Sequence, residues 1–290
     1  MDKSTKKLLC AVLAVLALTV SLTACGKKEK DDLPPVVTHV IPENEKKKSS
    51  IVTDDFTIDI YSSYSAVTAY SGNKTEVTIP ESAAGVKVRV LGESIFKDNS
   101  VIKKVVLPSG LYMIDRYAFE NSAVREVVFN DGLETVGDYA FRNSALTVLD
   151  LPDSVSTLGK YAFYGTKITS VKIPGGVSRA GKYCFYGCTE LKTVEFCPRM
   201  VEIAENMFYN CTALTEIVIP ENVTKICNYA FSTCTALTSI TVPEETVNFG
   251  EGVFFGCDAL TVHAPAGSQA AKFCRYNNVK FEEFAVPAED

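Results

Sequence analysis

The chain has 290 residues, 29 Lys and Arg against 35 Asp and Glu, and no tryptophan. Nine lysines and six acidic residues fall in the first 50 positions, so residues 51–290 carry 20 basic and 29 acidic side chains, a net charge of −9. Nothing there offsets phosphate repulsion, which argues against a nucleic-acid partner, and the length suits either one substantial core or a repeat array.

The first element is a targeting segment. Lys3, Lys6 and Lys7 precede an apolar run from Leu8 to Val20 that is too short for a membrane-spanning helix. The run closes on Leu22-Thr23-Ala24-Cys25-Gly26, which resembles the lipobox of bacterial lipoproteins. Its small residues admit a peptidase, and its thiol is available for lipid transfer. The resemblance implies a signal peptide over residues 1–24, a diacylglyceryl thioether on Cys25, and a mature chain held on the outer side of the membrane. Each buried acyl methylene contributes about 0.8 kcal/mol to that hold. From Cys25 to Ser50 the chain is polar, with Pro34-Pro35 and Lys46-Lys47-Lys48 and no apolar period, and reads as a disordered charged tether. A single lipobox followed by a simple tether fits a Gram-positive envelope.

Beyond residue 50 the chain is organised by self-similarity. Phe96, Phe119, Phe141, Phe163, Phe185, Phe208, Phe231 and Phe254 recur at steps of 23, 22, 22, 22, 23, 23 and 23 residues, most of them in a Tyr-Ala-Phe-like triplet. After each anchor runs Leu-x-x-Val/Ile-x-Ile/Val/Leu, usually ending in proline, as in Leu214, Ile217, Ile219 and Pro220. The last apolar positions alternate as a short strand does, and the proline stops it. The 23-residue steps carry one extra residue in the link after the anchor, predicted to loop out so that strand and anchor keep register. A single unit cannot bury its own large apolar side chains, whereas stacked units bury each against its neighbour for about 1.5–3 kcal/mol. The pattern therefore predicts a mainly β solenoid with one short parallel strand per 22–23-residue turn. An N-terminal cap with an irregular first repeat is expected over 51–95, repeats over 96–263, and a C-terminal cap and tail over 264–290.

Tyr139-Ala140-Phe141, the run Cys211-Thr212-Ala213-Leu214-Thr215-Glu216-Ile217-Val218-Ile219-Pro220, and Val223-Thr224-Lys225-Ile226 together resemble the BspA-type leucine-rich repeat. The likeness spans roughly residues 77 to 284. It implies a right-handed solenoid and a bacterial surface protein, some relatives being linked to adhesion to host matrix proteins or other cells. It carries over no catalytic residues.

Four cysteines, Cys188, Cys211, Cys234 and Cys257, recur every 23 residues, each three after an anchor. They form a ladder whose rungs lie within disulfide range. Parallel side chains on successive rungs point the same way, so a bridge needs distortion. Buried thiols filling a position that Ser122, Ser144 and Thr166 fill elsewhere are one reading, and disulfides favoured by export are the other. A zinc site would need two spaced pairs such as Cys-x-x-Cys, and none occurs in the sequence. The two histidines are His39 and His263; phosphate-cradling loops, nucleophile elbows and cofactor motifs are lacking, so a non-enzymatic, cofactor-free chain is expected.

Two faces are candidates for binding. The strand face reads Thr78, Val106, Val128, Asp150, Lys172, Glu195, Val218, Thr241 along its central row and is mixed in character. The other face carries Tyr117, Tyr139, Tyr161, Tyr183 and Tyr229 two residues before their anchors, and Tyr164, Tyr186, Tyr209 and Phe255 directly after theirs. Rows of partly exposed tyrosine suit protein hot spots or flat sugar faces; rings leaning over the core as filler are the alternative. The expected role is recognition of a protein or polysaccharide at the cell surface, with a structural scaffold at the bacterium's own envelope as the second reading.

Overall fold

The computed structural model describes residues 45–53 and 55–285. The predicted signal peptide, the Cys25 lipidation site and most of the tether lie outside them. The end of the tether does not: Lys48 donates its N–H to the Ile60 carbonyl at 2.8 Å, and the Glu45 carboxylate accepts from the Ser63 N–H and hydroxyl at 2.8 and 2.7 Å. Ser49 and Ser50, counted with the tether from their polarity, begin strand β1 (Ser49–Val52). Residues 45–50 are thus tied to the folded part by backbone pairing, which polarity alone does not forbid.

β1 pairs antiparallel with β2 (Phe56–Ile60), and β2 with β3 (Ser65–Tyr70). β3 then runs parallel to Val86–Leu91, the first turn of the solenoid wall. This hairpin covers what would otherwise be an open sheet edge, and its Phe56, Ile58 and Val67 are buried in the common core.

The repeats wind as the phenylalanine period predicts. Three-residue strands form one wall, Lys104–Val106, Glu126–Val128, Ser170–Lys172, Thr193–Glu195, Glu216–Val218 and Ser239–Thr241, and all but Glu126–Val128 run toward a proline two or three residues on. Neighbours are parallel and in register, as Glu216↔Ser239 and Ser239↔Thr261 illustrate. The wall is divided into groups of three, two and four strands: Val148–Asp150 does not adopt strand geometry between the first two groups, and Thr193–Glu195 does not pair with Glu216–Val218 between the last two. Where present, the prolines follow the strand ends as expected, and their carbonyls accept from the N–H three residues on, Pro108 from Leu111 and Pro220 from Val223.

A second wall adds to the one strand per turn that the periodicity predicts. Two-residue parallel strands, Met113–Ile114, Thr135–Val136, Thr157–Leu158, Glu202–Ile203, Lys225–Ile226 and Asn248–Phe249, precede the anchor loops. Glycine follows several of them because the turns press together there: a Cβ at Gly159 would lie 2.5 Å from the backbone of Gly137 and Asp138.

The anchor loops are also laddered. Tyr117, Phe119 and Asn121 donate their N–H groups to Asp138, Ala140 and Arg142 of the next turn at 3.1, 2.7 and 2.8 Å. Seven anchors from Phe96 to Phe231 are fully buried, and Phe254 is 7% exposed. Consecutive rings stack at 4.7–6.1 Å, from Phe119 on Phe141 to Phe231 on Phe254. In the 23-residue turns the extra residue is absorbed in a bend closed by Leu191 N–H to Cys188 O, and likewise from Leu214 to Cys211 and Leu237 to Cys234.

The C-terminal end is closed by helix α1 (Gln269–Tyr276), capped by the Ser268 hydroxyl accepting from the Ala271 N–H. It buries Ala270, Ala271 and Cys274, and sets Phe273 against Phe249 at 4.6 Å and edge-on to Phe254 at 6.2 Å. A final strand, Phe281–Phe284, pairs parallel with Thr261–Pro265. Among the described residues no helix is long and apolar enough to cross a membrane.

Candidate binding edge

The cysteine ladder is resolved by direction. All eight cysteines from Cys184 to Cys274 are free thiols. Cys188, Cys211, Cys234 and Cys257 each aim S–H at the carbonyl of the anchor one turn back, Phe163, Phe185, Phe208 and Phe231, at 3.1, 3.2, 3.1 and 3.0 Å. Burial pushes the Cys188 thiol up to about 12 and raises Cys184, Cys211 and Cys274 as well, so these groups are poor nucleophiles. Cys257 is directed at the backbone, and His263 lies beside Glu282, with Nδ1 3.7 Å from its carboxylate. Among the described residues no group of three or more His, Cys, Asp and Glu is placed to hold a metal ion.

The strand wall is mixed, as its sequence indicates. Lys104 and Glu126 pair at 2.7 Å, and Val128, Val148 and Val218 stand exposed among charged neighbours.

The anchor-loop edge is ordered. Each residue two before an anchor has a left-handed backbone: Tyr117, Tyr139, Tyr161, Tyr183 and Tyr229 have φ between 55° and 61°, and Ser94, Asn206 and Gly252 continue the row at 55–58°. Bulky L-residues adopt this conformation rarely and at a cost of about 1–2 kcal/mol. The conformation turns the side chain along the solenoid axis onto its neighbour. Tyr117, Tyr139, Tyr161 and Tyr183 stack in one column at 5.0, 4.8 and 4.4 Å, and Tyr164, Tyr186 and Tyr209 in a second at 4.8 and 4.7 Å. Tyr161 meets Tyr164, and Tyr183 meets Tyr186, obliquely at 5.8 and 5.9 Å, joining the columns. All seven are half-buried. Burial raises the pKa of Tyr161 and Tyr186, with their tyrosine neighbours adding to the effect.

This geometry corrects one expectation. Rings stacked face to face cover one another's flat surfaces, so the columns turn edges and hydroxyls outward. Tyr229 is a second correction, since it shares the row but not the column. Its ring lies over Gly252, its hydroxyl is held by Glu251, which raises its pKa, and it has no ring partner among the described residues.

The N-terminal end of the edge is closed by charges that spacing did not reveal. Glu120, with its side chain 5% exposed, takes Lys97 at 2.8 Å and Arg142 at 3.0 Å. Lys97 sits over the Tyr117 ring at 5.2 Å, and Arg142 over Tyr139 and Tyr164 at 5.8 and 5.6 Å. Aligning the turns on their anchors could have found this clamp, because Lys97, Glu120 and Arg142 occupy the position that Tyr164, Tyr186 and Tyr209 fill further on.

A family model for the BspA type leucine rich repeat region matches six copies over residues 89–197 and 156–282. A leucine-rich repeat protein from Bacteroides ovatus ATCC 8483 shares the fold with a TM-score of 0.60 at 21% identity, covering 74% of this chain and 70% of its own. The leucine-rich repeat protein of T. pallidum does so with a TM-score of 0.54 at 21% identity, covering 82% and 100%. Among curated proteins none matches the sequence.

Proposed function

The chain belongs to the BspA-type leucine-rich repeat family, and on that premise we propose that it is a lipid-anchored surface module that binds a protein or polysaccharide through its anchor-loop edge. The family supports an interaction or surface module. The lipobox at Cys25 and the charged stretch after it support export, acylation and a tether on the outer side of a Gram-positive membrane, and partners on host or neighbouring cells follow from such a location. The observation that carries the choice of face is the double column of seven half-buried tyrosines, stacked at 4.4–5.0 Å on a rigid ladder. Their side chains are already ordered, so a partner loses little conformational entropy on meeting them, and tyrosine combines apolar area with a hydrogen-bonding tip.

The test is a screen of the protein against host matrix proteins and against host and bacterial glycans, alongside a Tyr161→Asn, Tyr183→Asn, Tyr186→Ser variant. Asn206 and Ser232 occupy those positions in later turns, so the variant is built to fold. Binding lost in the folded variant supports the edge; binding retained moves the site elsewhere, and no hit at all removes the adhesion reading. Incorporation of labelled fatty acid that disappears in Cys25→Ala checks the anchor.

A further inference from the structure

The two tyrosine columns run side by side over the turns anchored at Phe141, Phe163, Phe185 and Phe208. They touch where Tyr161 meets Tyr164 at 5.8 Å and Tyr183 meets Tyr186 at 5.9 Å, and so form one strip two rings wide. Its ribs are ring edges at intervals of 4.4–4.8 Å. The backbone fixes that spacing: Tyr139 and Tyr161 donate their N–H groups to the Lys160 and Lys182 carbonyls at 2.8 and 3.0 Å, and the Tyr164 and Tyr209 carbonyls accept from Asn143 and Gly187 at 2.7 and 2.8 Å. Turns tied in this way do not part to admit a guest between the rings, so a ligand of the strip lies across their edges.

The strip has two ends and an open flank. Arg142, held by Glu120, covers Tyr139 and Tyr164 at one end. At the other, the buried Asn206 and Ser232 stop both columns. Three steps of about 4.8 Å separate the Tyr139 turn from the Tyr209 turn, a length of roughly 14 Å. Beside the second column the next residues are Gly165, Gly187 and Asn210, and a Cβ on Gly187 would meet nothing within 4 Å, so the strip is not walled in beside Tyr186.

We propose that this strip binds an elongated, planar conjugated molecule of two or three linked rings, laid along the solenoid axis with its face on the tyrosine edges. The edge of an aromatic ring carries the positive part of its quadrupole and the face the negative part, so a row of edges attracts the face of another ring system in the edge-to-face arrangement. Each rung adds one such contact. A flat ligand about 14 Å long meets all four rungs, whereas a single ring spans one step. The tyrosines are stacked and ordered before the ligand arrives, so little entropy is lost on binding, and their hydroxyls serve polar groups at the ligand's rim.

This inference rests on the reading of the edge as a binding face, and the experiment separates the two. The probe is thioflavin T, two linked ring systems whose emission rises when they are held in one plane. Titration of the full chain is expected to give a saturable rise. Tyr161→Asn with Tyr186→Ser cuts both columns at mid-strip with residues that later turns carry there, and should weaken binding at least tenfold in a protein that circular dichroism shows to be folded. Should that pair not fold, Tyr183→Asn alone is expected to weaken binding at least threefold. Tyr276→Ser removes a 90% exposed tyrosine on helix α1 and should leave binding within twofold. N,N-Dimethylaniline, one ring of the dye, should compete only at concentrations at least tenfold above the dye's own Kd. The proposal is overturned by any of four results: no saturable rise, a rise unchanged when the columns are cut, an equal loss in Tyr276→Ser, or equal competition by the single ring. If the triple tyrosine variant still loses a protein or glycan ligand in any of those cases, the edge stands as a binding face and only the planar ligand falls.

Discussion

Tyr161 tests whether the tyrosine columns are held against backbone strain. Its φ is 57°, and its ring faces meet Tyr139 at 4.8 Å and Tyr183 at 4.4 Å. Each stacked pair contributes about 0.5–1.5 kcal/mol beyond burial, against the roughly 1–2 kcal/mol that a left-handed backbone costs an L-residue. Tyr161→Ala keeps the strain and loses both stacks, so a loss of about 2–3 kcal/mol is expected once the surrendered burial is included. Tyr161→Gly loses the same contacts but sheds the strain. Greater freedom of the unfolded glycine chain returns only about 0.4–1 kcal/mol of that relief, which leaves Gly more stable than Ala by about 0.5–1 kcal/mol. Asn, which tolerates this backbone, should fall between them. The assay is the urea midpoint followed by far-ultraviolet circular dichroism. An Ala variant as stable as the Gly variant would refute the argument, because it would mean the left-handed turn imposes no strain.

Phe185→Ala, which empties a fully buried site between rings 5.4 and 5.6 Å away, should lose about 3–5 kcal/mol in the same assay. The Cys188 thiol ionises at 9.0 when unperturbed and at about 12 in the fold. Its folded value is raised, so its contribution is complete below pH 9 and is lost as pH climbs toward 12. The urea midpoint should therefore fall less steeply above pH 9 in Cys188→Thr, which installs the residue found at Thr166, than in the unaltered chain. Glu120→Gln leaves Lys97 and Arg142 half-exposed without their shared carboxylate, and is expected to lose about 1–2 kcal/mol, with a smaller difference in high salt. Of the eight cysteines between residues 184 and 274, half-buried Cys227 should be alkylated first by iodoacetamide in the native state; rapid labelling of a ladder thiol, read by mass spectrometry, would mean that the core opens.

The sequence by itself determined the solenoid. Phe96 to Phe254 recur because every turn must bury the same ring against the same neighbour, and the prolines mark strand ends because they cannot donate to a ladder. Both are properties of a period and survive in one dimension. The second wall of strands was faint, since two residues such as Met113 and Ile114 are too few to show alternation. The last residues of the charged stretch looked unstructured because polarity says nothing about backbone pairing to Ile60. Spacing put the cysteines on one ladder but left bridges and thiols both open; only the direction of each S–H, toward a carbonyl one turn back, decided it. The tyrosines were legible as rows, yet the left-handed backbone that lays each ring on the next lies in dihedral angles that no spacing encodes. That tertiary detail decides which surface a partner meets, covering the flat faces along the columns and turning ring edges and hydroxyls outward.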